Sequence, residues 1–333
     1  MWSTGPWHIV RNYARMQSLH LFRVVKNVLG IAMTESVLSA RNLCKRYGVH
    51  VAVDDLSFEV GQGEVFGLLG PNGAGKTSTI RILMDIFKAD SGEVELLGGR
   101  PGESRERVGY LPEERGLYRD QRVLEVLVYL GRLKGVDGAT ARDRALALLE
   151  RVELEEWSGK RVKELSRGMQ QKVQFIACLI HDPELLILDE PFQGLDPVNV
   201  EMIKSLMRSL VSEGKTIVLS AHQMNLVEEL CDRILLIDEG RALLYGSLKE
   251  IKRDFAPNSV RVRAAEMPSA LPGVVGSERQ GEVTLFTLDG IGAQEFLAAL
   301  VERNVEIESF ERATVPLNDI FVAMVQGNAQ PGR

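Results

Sequence analysis

The chain has 333 residues, 45% apolar and 26% charged, an ordinary globular balance that excludes wholesale disorder, collagen and a continuous coiled coil. Lys and Arg number 40 against 46 Asp and Glu, a net charge of −6 that argues against a chain-wide basic footprint for nucleic acid. No run reaches roughly 18 consecutive apolar residues, so no segment reads as a bilayer-spanning helix. In chain order, residues 1–34 come first, a basic extension carrying Arg11, Arg15, Arg23 and Lys26 with no acid. Its apolar stretch from Leu19 to Met33 is broken by Arg23, Lys26 and Asn27, which makes a poor signal peptide. A basic amphipathic helix on an anionic membrane is one reading. We favour the other, in which Met33 is the true initiator and residues 1–32 are a start-site artefact, because the first strand pattern follows at once.

Val37–Leu43 and Val51–Val60 read as paired strands across a Gly-containing turn. Glu64–Leu69 is a short buried strand. A glycine-rich loop follows, then a helix over Lys76–Phe87 with Ile80, Leu83, Met84 and Phe87 on one face. Val94–Leu97 is a strand; Leu124–Leu133, Ala139–Val152 and Gly168–Ile180 are helices. The apolar run Leu185–Leu188 has the character of a strand buried inside a parallel sheet. Asn199–Val211 is a helix, Thr216–Ser220 a strand and Met224–Cys231 a helix. Arg233–Ile237 and Ala242–Tyr245 form a hairpin around Asp238-Glu239-Gly240. From Asp254 to Gly276 prolines and glycines interrupt the texture. Beyond lie the strands Val260–Val262, Val283–Leu288 and Val305–Phe310, and the helices Ala293–Arg303 and Leu317–Val325. Cys44, Cys178 and Cys231 are scattered and read as buried free thiols.

The sharpest motif is Gly70, Pro71, Asn72, Gly73, Ala74, Gly75, Lys76 and Thr77, with Ser78 next. It fits G-x-x-x-x-G-K-[ST] between a strand and a helix. Its backbone N–H groups and the helix N-terminus suit a phosphate anion. Lys76 adds a full charge near the β- and γ-phosphates, and the Thr77 hydroxyl suits Mg²⁺. The strand Leu185–Leu188 then delivers Asp189 and Glu190 at its carboxyl end, where α/β folds bind ligands. Asp189 can hold Mg²⁺, directly or through water, and Glu190 can orient an attacking water. Together the two motifs make a P-loop NTPase.

Leu165-Ser166-Arg167-Gly168-Met169-Gln170-Gln171 opens the helix leading into that strand. Here the chain resembles an ATP-binding cassette (ABC) ATPase, whose LSGGQ-type segment stands at this distance from the second acidic motif. Arg167 and Met169 depart from that pattern, while Ser166 and Gly168 remain. The resemblance implies that Ser166 and Gly168 contact the γ-phosphate held by an opposite subunit. It implies that Tyr47 stacks on adenine, that the Gly194-Leu195-Asp196-Pro197 loop communicates across the dimer through Asp196, and that His222 contacts the γ-phosphate. Glu113, in Val108-Gly109-Tyr110-Leu111-Pro112-Glu113-Glu114-Arg115, stands where the family has glutamine, and we expect its carboxylate to reach Mg²⁺ or the attacking water. The tail from Val260 to Val325 resembles the small C-terminal domain of ABC-2-type exporter ATPases, the sodium-extruding group among them, which implies a regulatory or dimer-supporting role.

The resulting expectation is an α/β fold: a RecA-like parallel sheet with an antiparallel β subdomain and a helical subdomain over residues 35–255, a small C-terminal α/β domain over 256–326, and a tail over 327–333. The expected catalytic residues are Glu190, His222 and Lys76, acting on ATP with Mg²⁺ held by Thr77, Asp189 and Glu113. The implied partners are a second ABC ATPase, as homodimer or mixed pair, and a separately encoded permease at the cytoplasmic face of the membrane, with export as the direction and no nucleic acid. The competing reading is a soluble ABC-type ATPase of translation or DNA repair. Against it, the full G-x-x-x-x-G-K-[ST] motif occurs only once and the span from Lys76 to Ser166 carries no sustained heptads.

Overall fold

A computed structural model describes residues 36–114, 116–255, 258–264, 268 and 271–328. The expectations for the N-terminal extension lie outside the described residues, as does most of the expected tail. The described chain divides into two compact units, one through Leu248 and one from Lys249 onward.

The first unit is built on a six-stranded sheet. Its strands are β3 (Val65–Leu69), β5 (Val108–Leu111), β6 (Leu185–Asp189), β7 (Thr216–Ala221), β8 (Arg233–Asp238) and β9 (Arg241–Ser247), in the order β5-β6-β7-β3-β8-β9. All neighbours pair in parallel except β8 with β9. Every residue of β3, β6 and β7 is buried, as apolar strands covered on both faces must be. A separate antiparallel sheet is formed by β1 (Ser36–Tyr47), β2 (His50–Gly61) and β4 (Ser91–Leu96), in the order β2-β1-β4. One core joins the two sheets, with Leu38, Phe58 and Val60 packing in a cluster with Phe66, Leu68, Ile187 and Leu235.

The helices of this unit are α1 (Lys76–Leu83), α2 (Val123–Leu133), α3 (Gly138–Arg151), α4 (Arg167–Ala177), α5 (Pro197–Ser212) and α6 (Met224–Leu230). α1 is four residues shorter than its apolar period suggests. Asp85 adopts φ 57, and the N–H groups of Ile86 and Phe87 turn back to the Arg81 carbonyl at 2.9 and 3.1 Å. The left-handed residue closes the helix, leaving Ile86 and Phe87 exposed rather than on its buried face. β5 is not among the strands expected from the sequence: Val108–Leu111 pairs with β6 as the edge strand. Cys178 and Cys231 are buried, but Cys44 is partly exposed.

In the second unit, after α7 (Leu248–Phe255), come the strands β10 (Ser259–Ala264), β11 (Val274–Gln280), β12 (Val283–Leu288) and β13 (Ile307–Arg312) and the helices α8 (Ala293–Glu302) and α9 (Leu317–Asn328). The four strands form an antiparallel sheet in the order β11-β12-β10-β13. Val260, Val262, Phe286 and Leu288 alternate inward and pack with Phe296 and Leu300 of α8. β11 escaped the sequence reading because its Val-Val-Gly-Ser-Glu-Arg-Gln is almost wholly exposed.

Candidate functional site

Parallel register brings the candidate residues together. β3, at the centre, runs directly into the phosphate loop, and its last residue, Leu69, pairs with Ala221 of β7. On the other side of β7, Ser220 pairs with Asp189, the last residue of β6. Three adjacent strands therefore end at one edge, delivering the loop, His222 and the Asp189-Glu190 pair to one place.

The loop is wrapped tightly. Gly75 caps α1 at φ 108, and a Cβ there would lie 2.2 Å from the Ala52 carbonyl oxygen of β2. Glycine is thus required both for its backbone angle and for the close approach. Lys76 is buried, with Nζ donating to the carbonyls of Gly70 at 2.8 Å and Pro71 at 3.2 Å. Burial pushes its ammonium below the usual lysine range, opposed by the carboxylates of Glu190, Asp189 and Glu113. Thr77 and Ser78 lie in the first turn of α1.

Asp189 is buried, and one carboxylate oxygen accepts from the Ser220 hydroxyl. Its other oxygen, Oδ2, has no hydrogen-bond partner among the described residues. Glu190 takes φ 51, and its N–H donates to the Ser220 carbonyl and hydroxyl oxygens, both at 3.2 Å. This left-handed step turns the chain so that two consecutive carboxylates serve one site. His222 Nδ1 lies 2.8 Å from Glu190 Oε2. Glu113 is exposed beyond β5 and shares a cleft of about 280 Å³ with Asp189, Arg81, Phe87 and Tyr110.

Other candidates stand elsewhere. Tyr47 ends β1, half exposed, with the Phe87 ring edge-on at 6.1 Å and Lys45 Nζ 5.7 Å from its centroid. Ser166 caps α4, its Oγ accepting from the Met169 N–H at 3.2 Å. A Cβ on Gly168 would lie 3.8 Å from both the Gly194 oxygen and Leu195. Asp196 caps α5, accepting from Asn199 N at 3.0 Å and Asn199 Nδ2 at 2.6 Å. Ser166, Gly168 and the Gly194–Asp196 loop thus form a second cluster, and no hydrogen bond among the described residues ties Ser166 to residues 70–78.

Residues 53–193 match the family described as ABC transporter, and residues 246–325 match the DrrA1-3-like ATP-binding protein C-terminal domain. The ABC transporter ATP-binding protein YhaQ of Bacillus subtilis is 39% identical over 298 residues, 87% of this chain and 98% of its own length. The chain belongs to the ABC transporter ATP-binding family. Nod factor export ATP-binding protein I of Paraburkholderia xenovorans is 39% identical over 305 residues, 88% of this chain and 98% of that one. A solved ATP-binding subunit of an ABC transporter superposes with a TM-score of 0.62 at 31% identity, covering 66% of this chain and 93% of its own. A dimeric cassette in a post-hydrolysis state with ADP and Pi gives 0.59 at 25% identity, covering 63% and 98%. The protein is therefore an ATPase cassette of the transporter class, with Nod factor export ATP-binding proteins among its relatives. No helix among its described residues is long and apolar enough to cross a membrane.

The cassette's donor set fits Mg²⁺ carried with ATP. Asp189 Oδ2 is buried with no hydrogen-bond partner among the described residues, and Thr77 stands in the first turn of α1. Sequence reasoning missed Ser220, which holds Asp189 and Glu190 at once. A serine at the end of a strand carries no signal until the register with β6 is known. It also missed Gly240, read only as a turn, which contacts the phosphate loop from the other side.

Proposed function

We propose that the chain powers export through a separately encoded permease, as one half of a nucleotide-sandwich dimer at the cytoplasmic face of the membrane. The observation that carries the chemistry is the convergence of Lys76, Asp189, Glu190 and His222 on one sheet edge. The phosphate loop receives the β- and γ-phosphates. Lys76 gives up its contacts to the Gly70 and Pro71 carbonyls and turns its charge to the phosphate oxygens. Thr77 and Asp189 would hold the accompanying Mg²⁺, with Glu113 adding a carboxylate from the cleft it shares with Asp189. When bound, Mg²⁺ would supply positive charge against the phosphate oxygens. Glu190 positions water for in-line attack, and His222, paired with it, stabilises charge on the transferred group. Tyr47 offers an exposed ring to the adenine.

Ser166 and Gly168 belong to the second subunit's half of this site. Their helix start is exposed and bonded within its own turn, which suits capture of an anion from outside the chain. Asp196, in the loop beside Gly168, ties that surface to α5. The partner copy is the same chain or a second ABC ATPase. Export is supported by the Nod factor export subunits among the relatives, and the helices between Val123 and Glu164 carry the motion to the permease. Glu190→Gln should form a dimer on size exclusion with light scattering when MgATP is added. The wild-type chain expressed with its cell's membranes should co-purify with a polytopic protein. A variant that stays monomeric at saturating MgATP, in a chain that captures no membrane protein, contradicts the proposal.

A further inference from the structure

The turn Asp238-Glu239-Gly240, between β8 and β9, is not part of the phosphate loop, yet the loop leans on it. The Gly240 N–H donates to the Ala74 carbonyl at 3.0 Å, within the loop itself. The Gly240 carbonyl accepts from the Asp54 N–H of β2 at 2.9 Å. Arg241 Nε then donates to Asp54 Oδ2 at 2.8 Å, and a terminal guanidinium nitrogen lies 2.6 Å from the same oxygen, an ion pair. Gly240 sits at φ 80, with its missing Cβ 3.0 Å from the Ala52 oxygen, the same oxygen against which Gly75 packs. Gly70 approaches this hairpin too, its Cβ position lying 2.2 Å from the Ile237 oxygen.

We propose that the 238–241 turn is a strut that sets the phosphate loop before nucleotide arrives, with Gly240 and the Asp54–Arg241 pair as its positioning residues. The inference deepens the nucleotide reading above and rests on it. The physical logic is preorganisation. A loop whose N–H groups must converge on an anion gains affinity when its shape is already fixed. The Ala74 carbonyl is turned outward to Gly240, which directs the adjoining peptide of the loop, and β2 is locked to the same turn by Asp54.

The test uses the full chain and MgATP as the titrant, with calorimetric Kd, steady-state hydrolysis and melting with and without nucleotide. Asp54→Ala and Arg241→Ala should raise Kd and KM about 3- to 5-fold, with kcat held within about twofold. Their nucleotide-free melting should stay near wild type, and the MgATP-induced rise in melting temperature should shrink. Arg241→Lys should recover part of the affinity, because a lysine keeps the charge but not the fork. Gly240→Ala should raise Kd about tenfold or more. If Gly240→Ala does not fold, the Asp54 and Arg241 variants decide. Folded variants that bind MgATP as tightly as wild type overturn the proposal, as does a loss confined to nucleotide-free melting. A wild-type chain that binds no MgATP overturns the nucleotide reading itself, and the strut with it.

Discussion

His222 Nδ1 meets Glu190 Oε2 at 2.8 Å, so the two residues act as one unit. An ionised carboxylate only accepts, which fixes the hydrogen on Nδ1 and selects the tautomer. The imidazole in turn restrains a carboxylate whose backbone is already in the left-handed region at φ 51. His222→Ala should therefore lower kcat by about 10²- to 10³-fold with little change in KM. Added to Glu190→Gln it should cost almost nothing further, because paired groups are non-additive. Steady-state kinetics of the two single variants and the double variant check this.

Ser220 links both acids from beneath, through its hydroxyl to Asp189 and through its oxygens to the Glu190 N–H. Ser220→Ala removes a fully buried donor and leaves a buried carboxylate short of a partner. The expected loss of stability is about 1–3 kcal/mol by denaturant titration. The Mg²⁺ concentration for half-maximal hydrolysis should shift as well, because Asp189 loses its orientation. An unchanged Mg²⁺ curve would contradict this role of Ser220 in orienting Asp189.

What the sequence made legible follows the range of the interactions. The loop from Gly70 to Thr77 is local, and its spacing alone predicts an anion cradle. Asp189 and Glu190 are legible because a fully apolar strand must end in something polar. Ser220 and Gly240 act only through register and through the packing of a distant hairpin, which no local pattern encodes. The helix after the loop was read too long because Met84 and Phe87 continue the apolar period while Asp85 turns the backbone left-handed. β5 was unread because Val-Gly-Tyr-Leu, at the sheet edge, is too short to show a period.

Glu113 gives a direct test of charge at the site. A glutamine there keeps the shape and removes an anion that faces Lys76 and shares the cleft with Asp189. Glu113→Gln should raise the Mg²⁺ requirement for ATP binding severalfold in calorimetric titrations. A superimposable Mg²⁺ dependence would exclude a ligand role for Glu113.

His181 predicts an acid limb to stability. Burial pushes its imidazole down to about 4 from the ordinary 6.5, while Nε2 donates to the Val108 carbonyl at 3.0 Å. The folded chain keeps this ring neutral where the unfolded chain protonates it. Its contribution is intact above about pH 6.5 and is lost as pH falls toward 4, by about 2 kcal/mol after allowance for partial solvent contact. Unfolding free energies across that window should fall more steeply for wild type than for His181→Gln. Parallel slopes would contradict the assignment.

In the proposed mechanism Glu190 is the group that positions water. Its most direct test is the single-turnover rate of MgATP hydrolysis by purified wild type and Glu190→Gln, with nucleotide affinity measured on the same samples. The variant should keep near wild-type MgATP affinity, with a hydrolysis rate lower by about 10²-fold or more. A Glu190→Gln chain that hydrolyses at the wild-type rate would contradict this role for Glu190.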